Sequence, residues 1–180
     1  MEKNTGASGG LIKIAVVGPE STGKSTLAEM LAKHYNTYWV REFAREYIDH
    51  LKRPYQKKDL DLIARGQMQA ENDLTGSAKN GILICDTNLI VIKVWSEYKY
   101  GSCEDWILDE MNRRKYDLHL LTYIDIPWED DPQREHPEKR EYFYEIYREE
   151  LNSRGLRYVE LKGSMDERFR SAVSEINALK

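Results

Sequence analysis

The chain has 180 residues, of which 41% are hydrophobic and 32% are charged, a composition typical of a globular protein. This length favours one domain with a substantial core over two small ones. The formal net charge of -4 excludes an overall positive field of the kind that binds nucleic acid, so any attraction for an anionic ligand must be local. No apolar run approaches the ~20 residues of a membrane span, and the two cysteines lack a metal-site spacing. We therefore expect a cytoplasmic protein that binds neither nucleic acid nor a membrane.

The beginning of the chain carries the strongest local pattern. Residues 1–10 are predicted to be a flexible tail, and residues 11–17 form an apolar, β-branched run of strand length. Residues 18–26, Gly-Pro-Glu-Ser-Thr-Gly-Lys-Ser-Thr, match the phosphate-binding pattern G-x-x-x-x-G-K-[ST] without a gap. An apolar helical face follows from about Lys24. A strand that leads through a glycine loop into a helix favours a phosphate-binding loop over an accidental glycine turn.

Each residue type in this loop has a physical role. Gly18 and Gly23 allow backbone conformations that turn successive N–H groups inwards around a phosphate. Lys24 is placed to reach the β- and γ-phosphates, and the Ser25 hydroxyl is placed to bind Mg²⁺. The loop therefore predicts ATP and Mg²⁺ as cofactors, with Lys24 as a catalytic residue. The predicted ATP-binding residues are Gly18, Glu20, Ser21, Thr22, Gly23, Lys24, Ser25 and Thr26.

Strands and helices are predicted to alternate along the rest of the chain. The predicted strands cover residues 37–40, 81–86, 118–126 and 157–161. The predicted helices cover residues 47–52, 58–78, 88–100 and 104–115, a stretch beginning at Pro137, and a last stretch opened by a Ser164–Glu167 capping box. This alternation indicates a parallel sheet with helices on both faces. The predicted fold class is α/β, a P-loop NTPase of the nucleoside-kinase-like type with a three-layer α/β/α sandwich and a five-stranded parallel sheet, formed by residues 11–180 as one domain.

Carboxylates follow two of the predicted strands, at the edge of the sheet where α/β proteins bind ligands. Asp86 closes a run of four apolar residues and is predicted to be a ligand of Mg²⁺, with a solvated turn residue as the alternative. Glu42 follows the second strand and is predicted to orient an acceptor hydroxyl or to take its proton. An exposed ion pair of Glu42 with Arg41 or Arg45 is the alternative.

A polar, proline-punctuated stretch at residues 127–140 is predicted to form a lid. Arg134 and Arg140 are predicted to be catalytic, because mobile lid arginines neutralise a transferring phosphoryl group, whereas ordinary surface arginines are the alternative. Trp128 is predicted to stack on an aromatic base, with Asp130 or Asp131 at a ribose hydroxyl or a cationic ring. An aromatic side chain packed beneath the loop is the alternative for Trp128.

Four further segments follow the phosphate-binding loop in a specific order: Arg-Glu-Phe-Ala-Arg-Glu-Tyr at 41–47, Gly66-Gln67, Ile-Cys-Asp-Thr at 84–87 and Pro-Trp-Glu-Asp-Asp at 127–131. Together they resemble the ribosylnicotinamide kinase domain of NadR-type proteins, over residues 11–180. The resemblance implies a P-loop kinase that uses ATP and Mg²⁺ to phosphorylate the 5′-hydroxyl of nicotinamide riboside. It also implies metal binding by Asp86, contact of the Trp128 region with the nucleoside, and lid positions for Arg134 and Arg140. The predicted substrate-binding residues are Arg41, Asn88, Trp128, Asp130 and Asp131.

The sequence departs from the NadR-type pattern in two respects. NadR-type proteins carry an N-terminal adenylyltransferase domain, and often a DNA-binding segment, for which this sequence has no counterpart. We therefore expect that it does not by itself convert the mononucleotide to NAD. Asn88 stands where a second acid is expected after Asp-Thr, and if that acid contacts the riboside, the substrate differs.

The sequence leaves three classes of function to compare. A small-molecule kinase with a nucleoside acceptor is favoured by the lid arginines and the acids at strand ends. Within this class the acceptor is predicted to be nicotinamide riboside, with another nucleoside or nucleotide as the alternative. A non-catalytic, ATP-binding regulatory module is the second class. An ATPase that works on a macromolecule is disfavoured by the short length and the lack of a basic face. The oligomeric state is not predicted.

Overall fold

Strands and helices alternate in the computed structural model, which describes residues 10–180. The tail predicted at residues 1–10 lies outside the described residues, apart from Gly10. The strands are β1 (Ile12–Val17), β2 (Trp39–Val40), β3 (Ile82–Asp86), β4 (Leu118–Thr122) and β5 (Tyr158–Leu161). The α-helices are α1 (Lys24–His34), α2 (Phe43–His50), α3 (Lys57–Thr75), α4 (Leu89–Tyr100), α5 (Asp105–Arg113), α6 (Arg140–Ser153) and α7 (Met165–Asn177), and a 3-10 turn (Pro137–Lys139) precedes α6.

The five strands form one parallel sheet in the order β2-β3-β1-β4-β5. Helices α1 and α7 pack on one face of the sheet, around Leu27, Leu31 and Ile176. Helices α4 and α6 cover the other face over β1 and β4, and α3 covers it over β2 and β3. The predicted fold class, a three-layer α/β/α sandwich on a five-stranded parallel sheet, is confirmed. No helix in the described part of the chain has the length and apolar character needed to cross a bilayer.

The strand register shows at which edge of the sheet the phosphate-binding loop and Asp86 lie. Strand β1 occupies the centre of the sheet, with β3 on one side and β4 on the other. Val16 is level with Asp86 of β3 and with Leu120 of β4, so these strands end at the same edge of the sheet. The phosphate-binding loop leaves β1 at this edge. Ligands of parallel sheets bind there, because the loops after successive strands diverge and leave a crevice.

Helix α2 begins at Phe43, earlier than the start predicted near Tyr47. The backbone N–H of Phe43 donates a hydrogen bond of 2.8 Å to Oε1 of Gln67 in α3, so a residue 24 positions away supplies the missing acceptor for the first turn. Gly66 lies against the Phe43 ring, where a Cβ would come within 2.1 Å of a ring carbon. The Gly66-Gln67 pair therefore docks α2 on α3 and keeps α2 close to the edge of the sheet.

His119 is buried in β4, and its burial can be tested through the dependence of stability on pH. Only 1% of the residue is exposed, and burial lowers the pKa of the imidazole from its usual 6.5 to about 4. Between these two pH values the unfolded chain binds a proton that the folded chain does not bind. The free energy of unfolding should therefore fall as the pH is lowered from 6.5 to 4, by up to about 3 kcal/mol from this residue.

This expectation is checked by urea denaturation of the wild type and of His119→Gln at pH 7 and pH 4.5. Glutamine does not titrate, so the variant should lose less stability than the wild type over this interval. The carboxylates titrate in both proteins, and their contribution to the change in stability cancels in the comparison. An equal loss of stability in the two proteins would contradict the assignment of a neutral, buried His119.

Candidate active site

A cavity of about 800 Å³ opens at the edge of the sheet where the strands end. The residues that follow each of the five strands contribute to its lining: Gly18, Glu42, Thr87, Asp125 and Gly163. Residues 20–26 of the phosphate-binding loop and of the start of α1 also line it. The predicted ATP-binding residues are therefore brought together around one cavity, although their roles remain predictions.

The two motif glycines have the backbone conformations expected of a phosphate-binding loop. Gly18 has φ 140°, and a Cβ at this position would lie 2.5 Å from Oγ1 and 2.9 Å from the carbonyl oxygen of Thr122. Gly23 has φ 77° and is the N-cap residue of α1, where no side chain caps the first turn. The unpaired N–H groups of α1 and its positive dipole end therefore face the loop, an arrangement suited to phosphate. Lys24 Nζ donates to the carbonyl oxygen of Pro19 at 2.7 Å.

Asp86 is a buried carboxylate beside the loop. It is 2% exposed, and its Oδ1 has no hydrogen-bond partner among the described residues. Burial, and then the negative charge of Glu42, raise the pKa of Asp86 above its usual range, whereas Ser25, Lys24 and Arg45 act in the opposite direction. Since Glu42, Ser25 and Lys24 all act on the pKa of Asp86, these four residues lie close together, as expected of groups at the ends of parallel strands. A buried carboxylate oxygen without a donor is suited to a cation.

The two predicted lid arginines lie in different environments. Arg134 lines the cavity, and its Nη1 donates to Oγ of Ser21 at 3.2 Å and to the carbonyl oxygen of Glu129. Arg140 does not line the cavity. Its Nη1 donates to the carbonyl oxygens of Ser21 (3.0 Å) and Ile126 (2.9 Å), and its Nη2 donates to that of Ile124 (3.0 Å). The guanidinium of Arg140 thus binds backbone carbonyl oxygens in this structure, and its predicted catalytic role stays a prediction.

A fully buried arginine, Arg168 of α7, also contacts backbone around the site and was missed by sequence reasoning. It is 0% exposed and donates at 2.9 Å to the carbonyl oxygens of Thr22, Tyr123 and Gly163, and it forms an ion pair with Asp125. One guanidinium thus joins the phosphate-binding loop to the loops after β4 and β5. Its spacing is the signal that could have found it, because Arg168 lies three residues after Met165 and four before Ala172, which both belong to the apolar face of α7.

The five predicted substrate-binding residues do not line the cavity: Arg41, Asn88, Trp128, Asp130 and Asp131. The side chain of Asn88 serves as the N-cap of α4, since its Oδ1 accepts from the N–H of Ile90 at 3.0 Å. Arg41 is exposed, and its guanidinium carbon lies 5.2 Å from the centre of the Trp39 ring. Both side chains thus have local partners that account for their positions.

The other three members of that set lie in residues 123–136, here called the β4–α6 connection. Trp128 Nε1 donates to Oδ1 of Asp130 at 2.9 Å, and neither residue lines the cavity; Trp128 is half-buried and Asp130 is exposed. Asp131 forms an ion pair with Arg45 of α2. The predicted contacts of Trp128, Asp130 and Asp131 with a substrate remain untested predictions.

The part of the cavity beyond the loop has an apolar and aromatic lining that sequence reasoning also missed. It comprises side chains from α2, α3, α4 and the segment before α3: Ile48, Tyr55, Leu60, Ile63, Ile92 and Trp95. The ring of His136 stacks on Trp95, with centres 5.8 Å apart and planes at 19°. Burial, and then the negative charge of Glu135, raise the pKa of Tyr55. Whether the apolar positions of α3 line a cavity depends on how α2 and α4 pack around them, which no local sequence pattern shows.

The sheet, the loop and the buried carboxylate define the class: this is a P-loop protein with a nucleoside-kinase-like fold. Thymidylate kinase from Ehrlichia chaffeensis has the same fold, with a TM-score of 0.68 at 15% identity over 93% of this chain and 100% of that chain. The family model AAA_28, described as an AAA domain, matches residues 13–168. The chain therefore belongs to this AAA domain family.

Comparison with known proteins confirms the resemblance to NadR proteins that the sequence motifs indicate. It is 27% identical over 173 residues to the trifunctional NAD biosynthesis/regulator protein NadR of Salmonella typhimurium (strain LT2), covering 92% of this chain and 42% of the relative. The chain is 28% identical to the trifunctional NAD biosynthesis/regulator protein NadR of Escherichia coli (strain K12), covering 84% of this chain and 42% of the relative. A crystal structure of a NadR protein in complex with NR matches with a TM-score of 0.84 at 27% identity, over 93% of this chain and 51% of that chain. The chain thus spans about two fifths of the length of these curated relatives.

Proposed function

We propose that this protein is an ATP- and Mg²⁺-dependent kinase that phosphorylates the 5′-hydroxyl of nicotinamide riboside to nicotinamide mononucleotide. One observation carries the proposal: the phosphate-binding loop and Glu42 line a single cavity of about 800 Å³ together with apolar and aromatic side chains, and the buried carboxylate of Asp86 lies beside that loop. The similarity to NadR proteins supports the choice of acceptor, because one of them forms a complex with NR. Residues 11–180 act as one kinase domain in this proposal.

The loop and the start of α1 would hold the phosphates of ATP. Their inward N–H groups bind the phosphate oxygens, and Lys24 exchanges the carbonyl oxygen of Pro19 for the β- and γ-phosphates. The negative charge that spreads over the γ-phosphoryl group in the transition state makes such a fixed cation effective. Arg134 lines the same cavity and supplies a second cation.

Ser25 and Asp86 fit a Mg²⁺ site. Both offer oxygen ligands, which this hard cation prefers, and within residues 10–180 no donor binds the buried Oδ1 of Asp86. When bound there together with ATP, Mg²⁺ would neutralise charge on the phosphates. The raised pKa of Asp86 reflects a negative charge that the described residues compensate only in part.

Glu42 is assigned to the acceptor hydroxyl. Its side chain lines the cavity and acts on Asp86 electrostatically, so the two carboxylates lie close together. With Asp86 committed to the metal, Glu42 orients the 5′-hydroxyl and accepts its proton. The hydroxyl oxygen forms a new bond to the γ-phosphorus, the bond from that phosphorus to the β–γ bridging oxygen breaks, and ADP leaves.

The β4–α6 connection, with the start of α6, forms the proposed lid at residues 127–140. The N–H of Glu129 donates to Oγ of Ser21 at 2.9 Å, and the N–H groups of Glu135 and His136 donate to Glu20 Oε2 at 3.1 and 3.3 Å. These bonds hold the segment over the phosphate-binding loop. A segment in this place excludes water from the transferring phosphoryl group and opens to exchange nucleotides.

Tyr55 and Trp95 are the proposed contacts of the nicotinamide ring. They are aromatic residues of the cavity lining, and the carboxylates of Glu135 and Glu20 act electrostatically on Tyr55. The nicotinamide ring of the riboside is a cation, which gains from an aromatic face and from nearby negative charge. This geometry favours Trp95 over Trp128 as the stacking residue, because Trp128 does not line the cavity.

Trp95→Ala should raise the KM for nicotinamide riboside about tenfold, the equivalent of a lost cation–π contact of 1 to 2 kcal/mol. The KM for ATP should change less than twofold, because Trp95 lies in the apolar part of the cavity. Steady-state kinetics with each substrate varied in turn measures both constants. Trp128→Ala is the matched comparison, and a larger effect on the riboside KM in that variant would place ring binding at the β4–α6 connection instead.

The function is tested by measuring ADP release by the wild type with Mg·ATP and single nucleosides. The panel consists of nicotinamide riboside, uridine, cytidine and deoxynucleosides, with a reaction lacking acceptor as the baseline. We expect nicotinamide riboside to give the highest kcat/KM. A higher kcat/KM for a neutral nucleoside would make the protein a kinase with another acceptor. Release of ADP that no acceptor accelerates would contradict a nucleoside kinase and favour a regulatory ATP-binding module.

A further inference from the structure

Arg45 is a third cation in the cavity lining, beside Lys24 and Arg134. It lies in the first turn of α2, three residues after Glu42, the N-cap residue of that helix. Residues three apart project from the same side of a helix, and Ile48, a further three residues on, lines the cavity as well. Glu42, directly before α2, and Arg45, in its first turn, therefore line the same cavity.

Asp131 holds the guanidinium of Arg45 through two nitrogens. Nη1 donates to Oδ1 of Asp131 at 3.2 Å, and Nη2 donates to Oδ2. Gln133 adds a second link, since its Nε2 donates to the carbonyl oxygen of Arg45 at 3.2 Å and its N–H donates to Oδ1 of Asp131 at 2.9 Å. A guanidinium has five N–H donors, so the pair with Asp131 leaves further donors for an anion.

We propose that Arg45 is a catalytic arginine that contacts the transferring phosphoryl group, and that Asp131 positions it. The inference rests on the proposed kinase function and adds to it a residue on the acceptor side of the cavity. Because Glu42 is the N-cap residue of α2 and Arg45 lies in its first turn, the group that receives the acceptor proton and the group that neutralises the phosphoryl oxygens are both positioned at the start of one helix.

Arg45 takes the role that the sequence suggests for Arg140. Phosphoryl transfer spreads negative charge over three equatorial oxygens, and an arginine at these oxygens accelerates transfer by several orders of magnitude. The three donor contacts of Arg140 go to backbone carbonyl oxygens, and that residue lies outside the cavity lining. Arg45 lies in the lining, and its carboxylate partner belongs to the proposed lid. Closure of the lid therefore orients this arginine.

The test compares Arg45→Gln, Arg45→Lys, Asp131→Asn and the double variant Arg45→Gln/Asp131→Asn. Arg65→Gln is the matched control, because Arg65 also pairs with an aspartate, Asp61, but on the exposed side of α3 outside the cavity. Each protein is assayed with Mg·ATP and nicotinamide riboside, after circular dichroism and a melting curve have verified its fold.

We expect kcat of Arg45→Gln to fall about 10²-fold or more, with each KM changed less than about threefold, because the contact strengthens in the transition state. Arg45→Lys should recover only part of the rate, since one ammonium cannot bond Asp131 through two nitrogens and the phosphoryl group as well. Asp131→Asn should lower kcat about tenfold. The double variant should be no slower than Arg45→Gln, because Asp131 acts through Arg45.

A kcat for Arg45→Gln equal to that of Arg65→Gln, in an active wild type, would overturn the role of Arg45 and leave the kinase function standing. Additive losses in the double variant would overturn the positioning role of Asp131. If Arg45→Gln does not fold, the rate of Arg45→Lys decides, and a lysine variant as fast as the control overturns the inference. A wild type without acceptor-dependent turnover would refute the kinase function, and this inference with it.

Discussion

Lys24→Ala should abolish ATP-dependent phosphoryl transfer while the protein remains folded. The lysine lies at the start of α1 in the cavity lining, and its Nζ reaches back over the phosphate-binding loop to the carbonyl oxygen of Pro19. Loss of one such preorganised charge at the transferring group should lower kcat on the order of 10²-fold or more. The fold should tolerate the change, because alanine favours the helix and the lost contact is a single hydrogen bond at the surface of a cavity.

Lys33→Ala is the control for this experiment. Lys33 lies in the last turn of the same helix, and its side chain is 73% exposed and paired with Glu29, outside the cavity. Steady-state ADP release with nicotinamide riboside should be near the wild-type rate in Lys33→Ala. Near-normal turnover in a folded Lys24→Ala protein would contradict the assignment of the loop to ATP.

Asp86→Asn should raise the Mg²⁺ concentration needed for half-maximal rate about tenfold or more, with a smaller effect on nucleotide affinity. An amide is a poorer ligand for a hard cation than a carboxylate, whereas the N–H groups of the loop still bind the phosphates. The variant should fold at least as well as the wild type. Burial and Glu42 raise the pKa of Asp86, which means that its charge is unfavourable in the metal-free fold.

This expectation is measured by titrating Mg²⁺ at saturating nicotinamide riboside, alongside calorimetric binding of ADP in the presence of EDTA. Asp73→Asn is a suitable control, since Asp73 is an exposed residue of α3 that accepts a hydrogen bond from Gln69. An unchanged Mg²⁺ requirement and rate in Asp86→Asn would contradict a metal-binding role. A large loss of ADP affinity without metal would point instead to a disrupted loop.

Most of the fold could be predicted because its signals are local. The apolar stripe of α1, the Ser164–Glu167 capping box of α7 and the apolar runs of β1 and β3 each lie within a short segment, and the structure contains all of them. Strand β2 is reduced to Trp39–Val40, and α2 begins at Phe43. The earlier start of α2 depends on Gln67 of another helix, which no local pattern reveals.

The candidate site likewise has one part that local sequence patterns predict and one part that depends on tertiary packing. The clustering of Lys24, Ser25, Glu42 and Asp86 followed from the loop motif and from acids at strand ends, because parallel strands deliver such residues to one edge. The apolar compartment could not be predicted, since Tyr55 and Trp95 come from segments that meet only through tertiary packing.

Trp128 was chosen as a ring-binding residue because acids follow it in the sequence. In the structure one of these acids, Asp130, accepts a hydrogen bond from the indole N–H of Trp128, and neither residue lines the cavity. Arg140 was chosen for its position at the lid, but backbone carbonyl oxygens accept its hydrogen bonds. In both cases the residue type and its sequence neighbours are compatible with a ligand, whereas the contacts of the side chain depend on tertiary packing that the sequence pattern does not show. The roles predicted for Trp128 and Arg140 stay predictions.

The central claim, transfer of the γ-phosphoryl group of ATP to nicotinamide riboside, is tested most directly by identifying the product. A reaction of the wild type with Mg·ATP and nicotinamide riboside, followed by ³¹P NMR and mass spectrometry, should show a new 5′-phosphomonoester of the riboside in equal amount to ADP. Lys24→Ala should form neither product at a comparable rate. Formation of ADP with inorganic phosphate and an unmodified riboside, or no consumption of ATP, would contradict the account.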